Sequence, residues 1–107
     1  MTAIPEISVE DLKARLDKKD GLILIDVREP LEHERARIEG ATLIPLAELP
    51  SRCSELDKSR PLAVHCRTGG RSARAVQFLR ERGYDAVNVA GGICAWSERV
   101  DPSIHVD

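Results

Sequence analysis

Pro61-Leu62-Ala63-Val64-His65-Cys66-Arg67-Thr68-Gly69-Gly70-Arg71-Ser72 is the stretch on which the reading of this chain turns. After the proline comes a continuous run without the alternation of a half-exposed strand. Such a run suits a strand buried on both faces, as in a parallel sheet. Arg67-Thr68-Gly69-Gly70 reads as a tight loop. Ser72 to Arg82 reads as a helix, with Ala75, Val76, Phe78 and Leu79 as its apolar stripe and Gly83 as its stop.

The same alternation repeats on either side. Ser8 is a helix N-cap with Asp11 three residues on, and Val9, Leu12 and Leu16 share one helical face. Asp20-Gly21 marks a turn, and Leu22 to Val27 is a second buried strand. Pro30 opens a short helix to about Arg37, and Gly40 closes that segment. Ala41 to Ile44 reads as a short strand stopped by Pro45, and Leu46 to Leu56 as a helix that Pro50 interrupts. Ala86 to Val89 is a last strand, Gly91-Gly92 breaks it, and Ile93 to Arg99 is helical. The polar tail from Asp101 is expected to be loosely held. Strands alternating with helices predict a parallel α/β sheet in a single domain over residues 1–107.

Composition narrows the function. The chain has 107 residues, net charge -2 and 3% aromatic residues, so its core is aliphatic. The balance excludes a generally basic nucleic-acid binder. No apolar run approaches the ~20 residues of a membrane span. The first residues lack a basic segment followed by an apolar one, so no secretory signal is expected. Three widely spaced cysteines, Cys53, Cys66 and Cys94, make neither a disulfide framework nor a zinc site, and a reducing cytoplasm is the expected compartment. No His, Cys and carboxylate spacing suggests a metal, and no cofactor is expected. The charge is uneven: residues 60–82 hold six arginines and one acid, Glu81, while the remainder holds ten cations and seventeen acids.

Cys66 sits where open α/β sheets bind ligands, at the carboxyl end of a strand. Two glycines let successive N–H groups turn inward as an anion nest, and the next helix adds its positive end. Arg67 and Arg71 add two permanent cations. Each feature favours a thiolate, so Cys66 is expected to be reactive and to lie beside an anion cradle. Cys53 and Cys94 lack such surroundings and are expected to pack or lie at the surface. His65, adjacent on a strand, should point to the opposite face and is expected to be half-buried rather than a general base. His33 and His105 are expected to be solvated.

These residues resemble rhodanese-like sulfurtransferase domains. Cys66 to Arg71 is similar to the family's six-residue active-site loop, which the catalytic cysteine opens. Asp26-Val27-Arg28-Glu29-Pro30, followed by Ile38-Glu39-Gly40-Ala41 and Ile44-Pro45, resembles the N-terminal signature, with Ala36-Arg37 where the family usually has Gly-His. Gly91-Gly92-Ile93-Cys94-Ala95-Trp96 resembles the C-terminal one. The resemblance implies a five-stranded parallel sheet flanked by helices on both faces. It implies a sulfurtransferase in which Cys66 takes sulfane sulfur from thiosulfate or a persulfide donor. Sulfur then passes from the Cys66 persulfide to cyanide, a thiol or a small sulfur-carrier protein. The loop Arg67, Thr68, Gly69, Gly70 and Arg71 would bind substrate, with Asp26 and Arg28 bracing it. The tail from Trp96 to Ile104 resembles that of rhodanese domains fused to adenylyltransferases of the molybdopterin and thiamine pathways, which implies a carrier acceptor.

Two alternatives remain at this point. Related phosphatases and arsenate reductases place five residues between cysteine and arginine; here four separate Cys66 from Arg71, leaving little room for a tetrahedral phosphoryl group. A non-catalytic interaction module is the other, although such domains commonly lack the cysteine.

Overall fold

The computed structural model describes residues 3–106. Five strands, β1 (Glu6–Ile7), β2 (Ile23–Asp26), β3 (Thr42–Leu43), β4 (Leu62–His65) and β5 (Ala86–Val89), alternate with five helices. The helices are α1 (Val9–Lys18), α2 (Pro30–Arg35), α3 (Leu49–Arg52), α4 (Gly70–Glu81) and α5 (Gly92–Arg99). All neighbouring strands are parallel, in the order β1-β5-β4-β2-β3. The two aliphatic runs therefore lie side by side at the sheet centre, β4 between β2 and β5, where neither face meets water.

Two cores fill the two faces. On one, Ala75, Val76 and Leu79 of α4 and Leu49 of α3 pack with Ile25, Leu62 and Val64. On the other, Val9 and Leu12 of α1 and Ile93 and Trp96 of α5 pack with Leu24, Ala63 and Val89. Alternate strand residues feed opposite faces, as the pleat requires.

Local signals explain most element ends. The Ser8 hydroxyl accepts from Asp11 N–H at 3.1 Å, the cap expected from the sequence. Pro50 occupies the first turn of α3, so the segment from Leu46 to Glu55 folds as a short α-helix between two 3₁₀ turns rather than one helix. β1 carries no sequence signal of its own; two residues long, it is a strand because Asn88 N–H and Ala90 N–H donate to Pro5 O and Ile7 O. The expected helix from Ser72 begins two residues earlier, at Gly70, so the glycine loop runs directly into helix. Phe78 is only half-buried.

The tail is held, against expectation. Ser97 Oγ donates to Ile104 O, the Asp101 carboxylate accepts from Ser103 N–H at 3.1 Å, and Ile104 and Val106 pack against the second core. Among the described residues no helix is long and apolar enough to cross a membrane.

Candidate active site

β4 delivers Cys66 to the carboxyl edge of the sheet, one residue past its last strand position, with the side chain 1% exposed. The chain then curls around the sulfur. Gly69 adopts φ 121°, a backbone state for which glycine is suited, and its N–H donates to Cys66 Sγ at 3.1 Å. The Ser72 hydroxyl stands 3.3 Å from Sγ. Burial raises the thiol's pKa, but the Ser72 hydroxyl and the N–H groups of Ser72, Gly69 and Thr68 outweigh it and leave it below the ordinary cysteine value. The depressed pKa expected from the sequence is present, and its main sources are hydrogen bonds rather than the arginines.

The loop is also fixed from behind. The N-terminal N–H groups of a helix have no partners within it. In α5 they find loop carbonyls: Ile93 N–H donates to Cys66 O at 3.0 Å and Cys94 N–H to Arg67 O at 3.1 Å. This contact needs Gly92. It has φ 59°, and a Cβ there would lie 2.5 Å from both Cys66 O and Arg67 O. The Gly-Gly pair before α5 thus lets that helix approach the loop backbone.

Asn88 of β5 completes the cage. Its Nδ2 donates to Gly69 O at 3.2 Å, and its Oδ1 lies 2.6 Å from Ser72 Oγ. Asn88 is not legible in the sequence, since one polar residue in a short strand carries no periodic signal.

The arginines differ. Arg71 is held in a two-point pair with Glu32 of α2, Nη1 to Oε1 at 2.6 Å and Nη2 to Oε2 at 3.0 Å. Glu32 Oε1 also accepts from Glu29 N–H at 3.0 Å, closing the capping box of α2. The Arg71 guanidinium holds the Glu32 carboxyl down to about 2, well under its usual range. Glu32 lies 39 positions from Arg71, and nothing in the sequence announces the pair. Arg67 and Thr68 are exposed. Arg67 lines a groove of about 230 Å³ together with Arg28, Leu31, Arg35, Ala36 and Val106. Leu31 is 54% exposed at its rim.

Asp26 and Arg28 are buried beside the loop and bond to each other, Arg28 Nε to Asp26 Oδ1 at 3.0 Å and Nη2 to Oδ2 at 2.8 Å. Arg28 Nη2 also donates to Ala36 O at 2.6 Å. Burial would raise the Asp26 carboxyl, but the Arg28 and His33 hydrogen bonds and the charge of nearby groups keep it below its usual value. The Ala36 and His33 contacts tie this pair to the segment carrying α2, whose Glu32 holds Arg71. His33 is not solvated as expected: its Nδ1 lies 2.8 Å from Asp26 Oδ2 and its side chain is 18% exposed. His65 is fully rather than half buried, with Nδ1 3.3 Å from Cys66 O and Nε2 3.9 Å from Asp26 Oδ2. Burial lowers its pKa below the ordinary histidine value, against the opposing charge of Asp26. His105 is exposed, as expected. Cys53 and Cys94 are half-buried free thiols. Among the described residues no group of three or more His, Cys, Asp or Glu side chains could hold a metal ion.

The family model described as Rhodanese-like domain matches residues 8–99. This chain belongs to the rhodanese-like domain family. A sulfurtransferase of Allochromatium vinosum is 36% identical over 102 residues, covering 94% of this chain and 95% of that protein. The adenylyltransferase and sulfurtransferase MOCS3 of Arabidopsis thaliana is 33% identical over a 120-residue alignment that covers 96% of this rhodanese-like chain but 26% of that protein. The crystal structure of a rhodanese-related protein from Thermoplasma volcanium superposes with a TM-score of 0.85 at 34% identity, covering 96% and 99% of the two chains. The fold expectation, a five-stranded parallel sheet with helices on both faces, is thereby met. Homologues named sulfurtransferase support a sulfur-transfer role for this rhodanese-like domain.

Proposed function

We propose that this chain moves sulfane sulfur through a persulfide on Cys66. The observation that carries the reading is the loop closed around the sulfur: a buried thiol held below its ordinary pKa, with Gly69 N–H already donating to it. The Cys66 thiolate attacks the outer sulfur of an anionic donor such as thiosulfate. A Cys66–sulfur bond forms, the donor's S–S bond breaks, and sulfite leaves with that bond's electron pair. The terminal sulfur of the persulfide is an anion that the loop's N–H groups would receive, a reading supported by the Gly69 N–H that already donates to Cys66 Sγ. A second nucleophile then takes the terminal sulfur and returns Cys66 to a thiolate, a two-step covalent cycle. Arg67, at the groove rim, attracts the anionic donor, while Arg71, tied to Glu32, holds the loop shape and contributes positive field.

A persulfide on a carrier or desulfurase protein would serve as donor as well as thiosulfate does. Cyanide, a thiol or a small sulfur-carrier protein would serve as acceptor. The similarity to a protein named adenylyltransferase and sulfurtransferase supports a carrier acceptor. The work would be done in the cytoplasm, where Cys66 stays reduced.

The test is thiocyanate formation from thiosulfate and cyanide by wild type and Cys66→Ala, with mass spectrometry of the thiosulfate-treated protein. A gain of one sulfur on Cys66, lost with activity in Cys66→Ala, is expected. Phosphate release from an aryl phosphate without persulfide would replace this reading with a phosphatase. Absence of both activities would leave an interaction module.

A further inference from the structure

Ser72 Oγ faces two acceptors at once, Asn88 Oδ1 at 2.6 Å and Cys66 Sγ at 3.3 Å. A serine hydroxyl has one hydrogen. Asn88 cannot turn its amide to relieve the competition, because its Nδ2 donates to Gly69 O at 3.2 Å and so fixes Oδ1 toward Ser72. The shorter contact takes the hydrogen, and a Ser72 lone pair then faces the sulfur.

We propose that Asn88 is a positioning residue that withdraws the Ser72 hydrogen from Cys66 and thereby favours the thiol over the thiolate. In the thiol state the chain of donors runs Cys66 S–H to Ser72 Oγ, and Ser72 O–H to Asn88 Oδ1. On ionisation the Ser72 hydrogen swings to the sulfur, and the Asn88 contact is given up. The Asn88 carbonyl thus sets how readily this serine stabilises the charged sulfur, while the Gly69 N–H donates without competition. Asn88 is 4% and Ser72 0% exposed, so both partners lie out of bulk water. The inference rests on Cys66 being the reacting atom, but it concerns only the ionisation of that sulfur.

The other charged and titratable groups around the site are untouched by the variants below. They are Arg71 on α4 with its partner Glu32 on α2, Arg67 in the loop, and Asp26, Arg28 and His65 on the β2 and β4 side. Cys94 at the start of α5 and Cys53 are replaced by serine throughout, so that one thiol is read.

The experiment is the pH profile of Cys66 alkylation by iodoacetamide, with no sulfur donor present, in four proteins: the parent, Ser72→Ala, Asn88→Ala and the double variant. Ser72→Ala removes a donor and is expected to raise the apparent pKa by about one unit, tenfold in thiolate fraction below it. Asn88→Ala frees the Ser72 hydrogen and is expected to lower it by several tenths of a unit. In the Ser72→Ala background the Asn88 substitution is expected to leave the pKa unchanged. An Asn88→Ala shift upward, or an equal shift with and without the Ser72 hydroxyl, would overturn the proposal and reduce Asn88 to a support for Gly69. Gly69 O keeps a second donor, Ala73 N–H at 3.1 Å, so the loop retains an anchor in these variants. Should Asn88→Ala not fold, Asn88→Asp provides the opposite arm. Its carboxylate holds the Ser72 hydrogen more firmly and raises the pKa by more with Ser72 present than without it; equal rises in the two backgrounds refute the competition. Failure of thiocyanate production with these pKa shifts intact would count against the sulfurtransferase reading alone.

Discussion

Replacing Gly92 by alanine tests how closely α5 must approach the loop. Three effects coincide there. A φ of 59° costs a residue with a Cβ about 1–2 kcal/mol. The new Cβ meets Cys66 O and Arg67 O at 2.5 Å and Arg67 C at 2.7 Å, all backbone atoms that cannot rotate away. Overpacking of this kind costs about 1–3 kcal/mol. Relief by displacement would stretch the Ile93 and Cys94 hydrogen bonds to the loop, each worth about 1 kcal/mol. The expected loss is about 3–6 kcal/mol, a large part of the ~5–15 kcal/mol of a typical domain. Two other glycines separate the causes. Gly83 has φ 89° with open space around its Cβ position, so Gly83→Ala shows the backbone cost alone. Gly70 has neither a positive φ nor a neighbour and begins α4, so Gly70→Ala is expected to be neutral or stabilising by up to about 1 kcal/mol. Urea unfolding followed by the fluorescence of Trp96, the single tryptophan and itself on α5, reads all three. If Gly92→Ala costs no more than Gly83→Ala, the close approach of α5 is not what holds the loop.

The remaining expectations concern charge and thiols. Asp26→Asn leaves the Arg28 guanidinium buried without its counter-charge and is expected to cost about 3–5 kcal/mol by the same unfolding measurement. Because the folded Asp26 carboxyl is held below its unfolded value, its contribution is full at neutral pH. The gap between wild type and variant closes as pH falls through the folded value. Glu32→Gln should cost under about 1 kcal/mol at pH 7, since the Arg71 pair is one-third exposed. With the Glu32 carboxyl lowered from 4.5 to about 2, that difference shrinks between those two pH values, which acid titration of both proteins checks. Cys53→Ser and Cys94→Ser are expected to keep thiocyanate production; loss in Cys94→Ser would give that thiol a part in the transfer.

Features legible in the sequence alone are local or periodic. Two continuous runs, Leu22 to Val27 and Leu62 to Cys66, predicted buried parallel strands, because such runs can be covered only when both sheet faces carry helices. The Ser8 cap and the stops at Gly83 and Gly91 act through the backbone of their immediate neighbours. Cys66 was legible as the special thiol because strand end, Gly-Gly loop and helix start are contiguous. Tertiary structure decided what depends on residues far apart in the chain. β1 exists only through β5, and two residues cannot announce a strand. Glu32 meets Arg71, and Asn88 meets Gly69 and Ser72, across different elements. The polar sequence neighbours of His33 predict a solvated side chain, yet α2 turns it back onto buried Asp26. The local chain supplied the sulfur and its loop; the partners that tune them arrive by packing, where a single side chain carries no pattern until the fold brings it close.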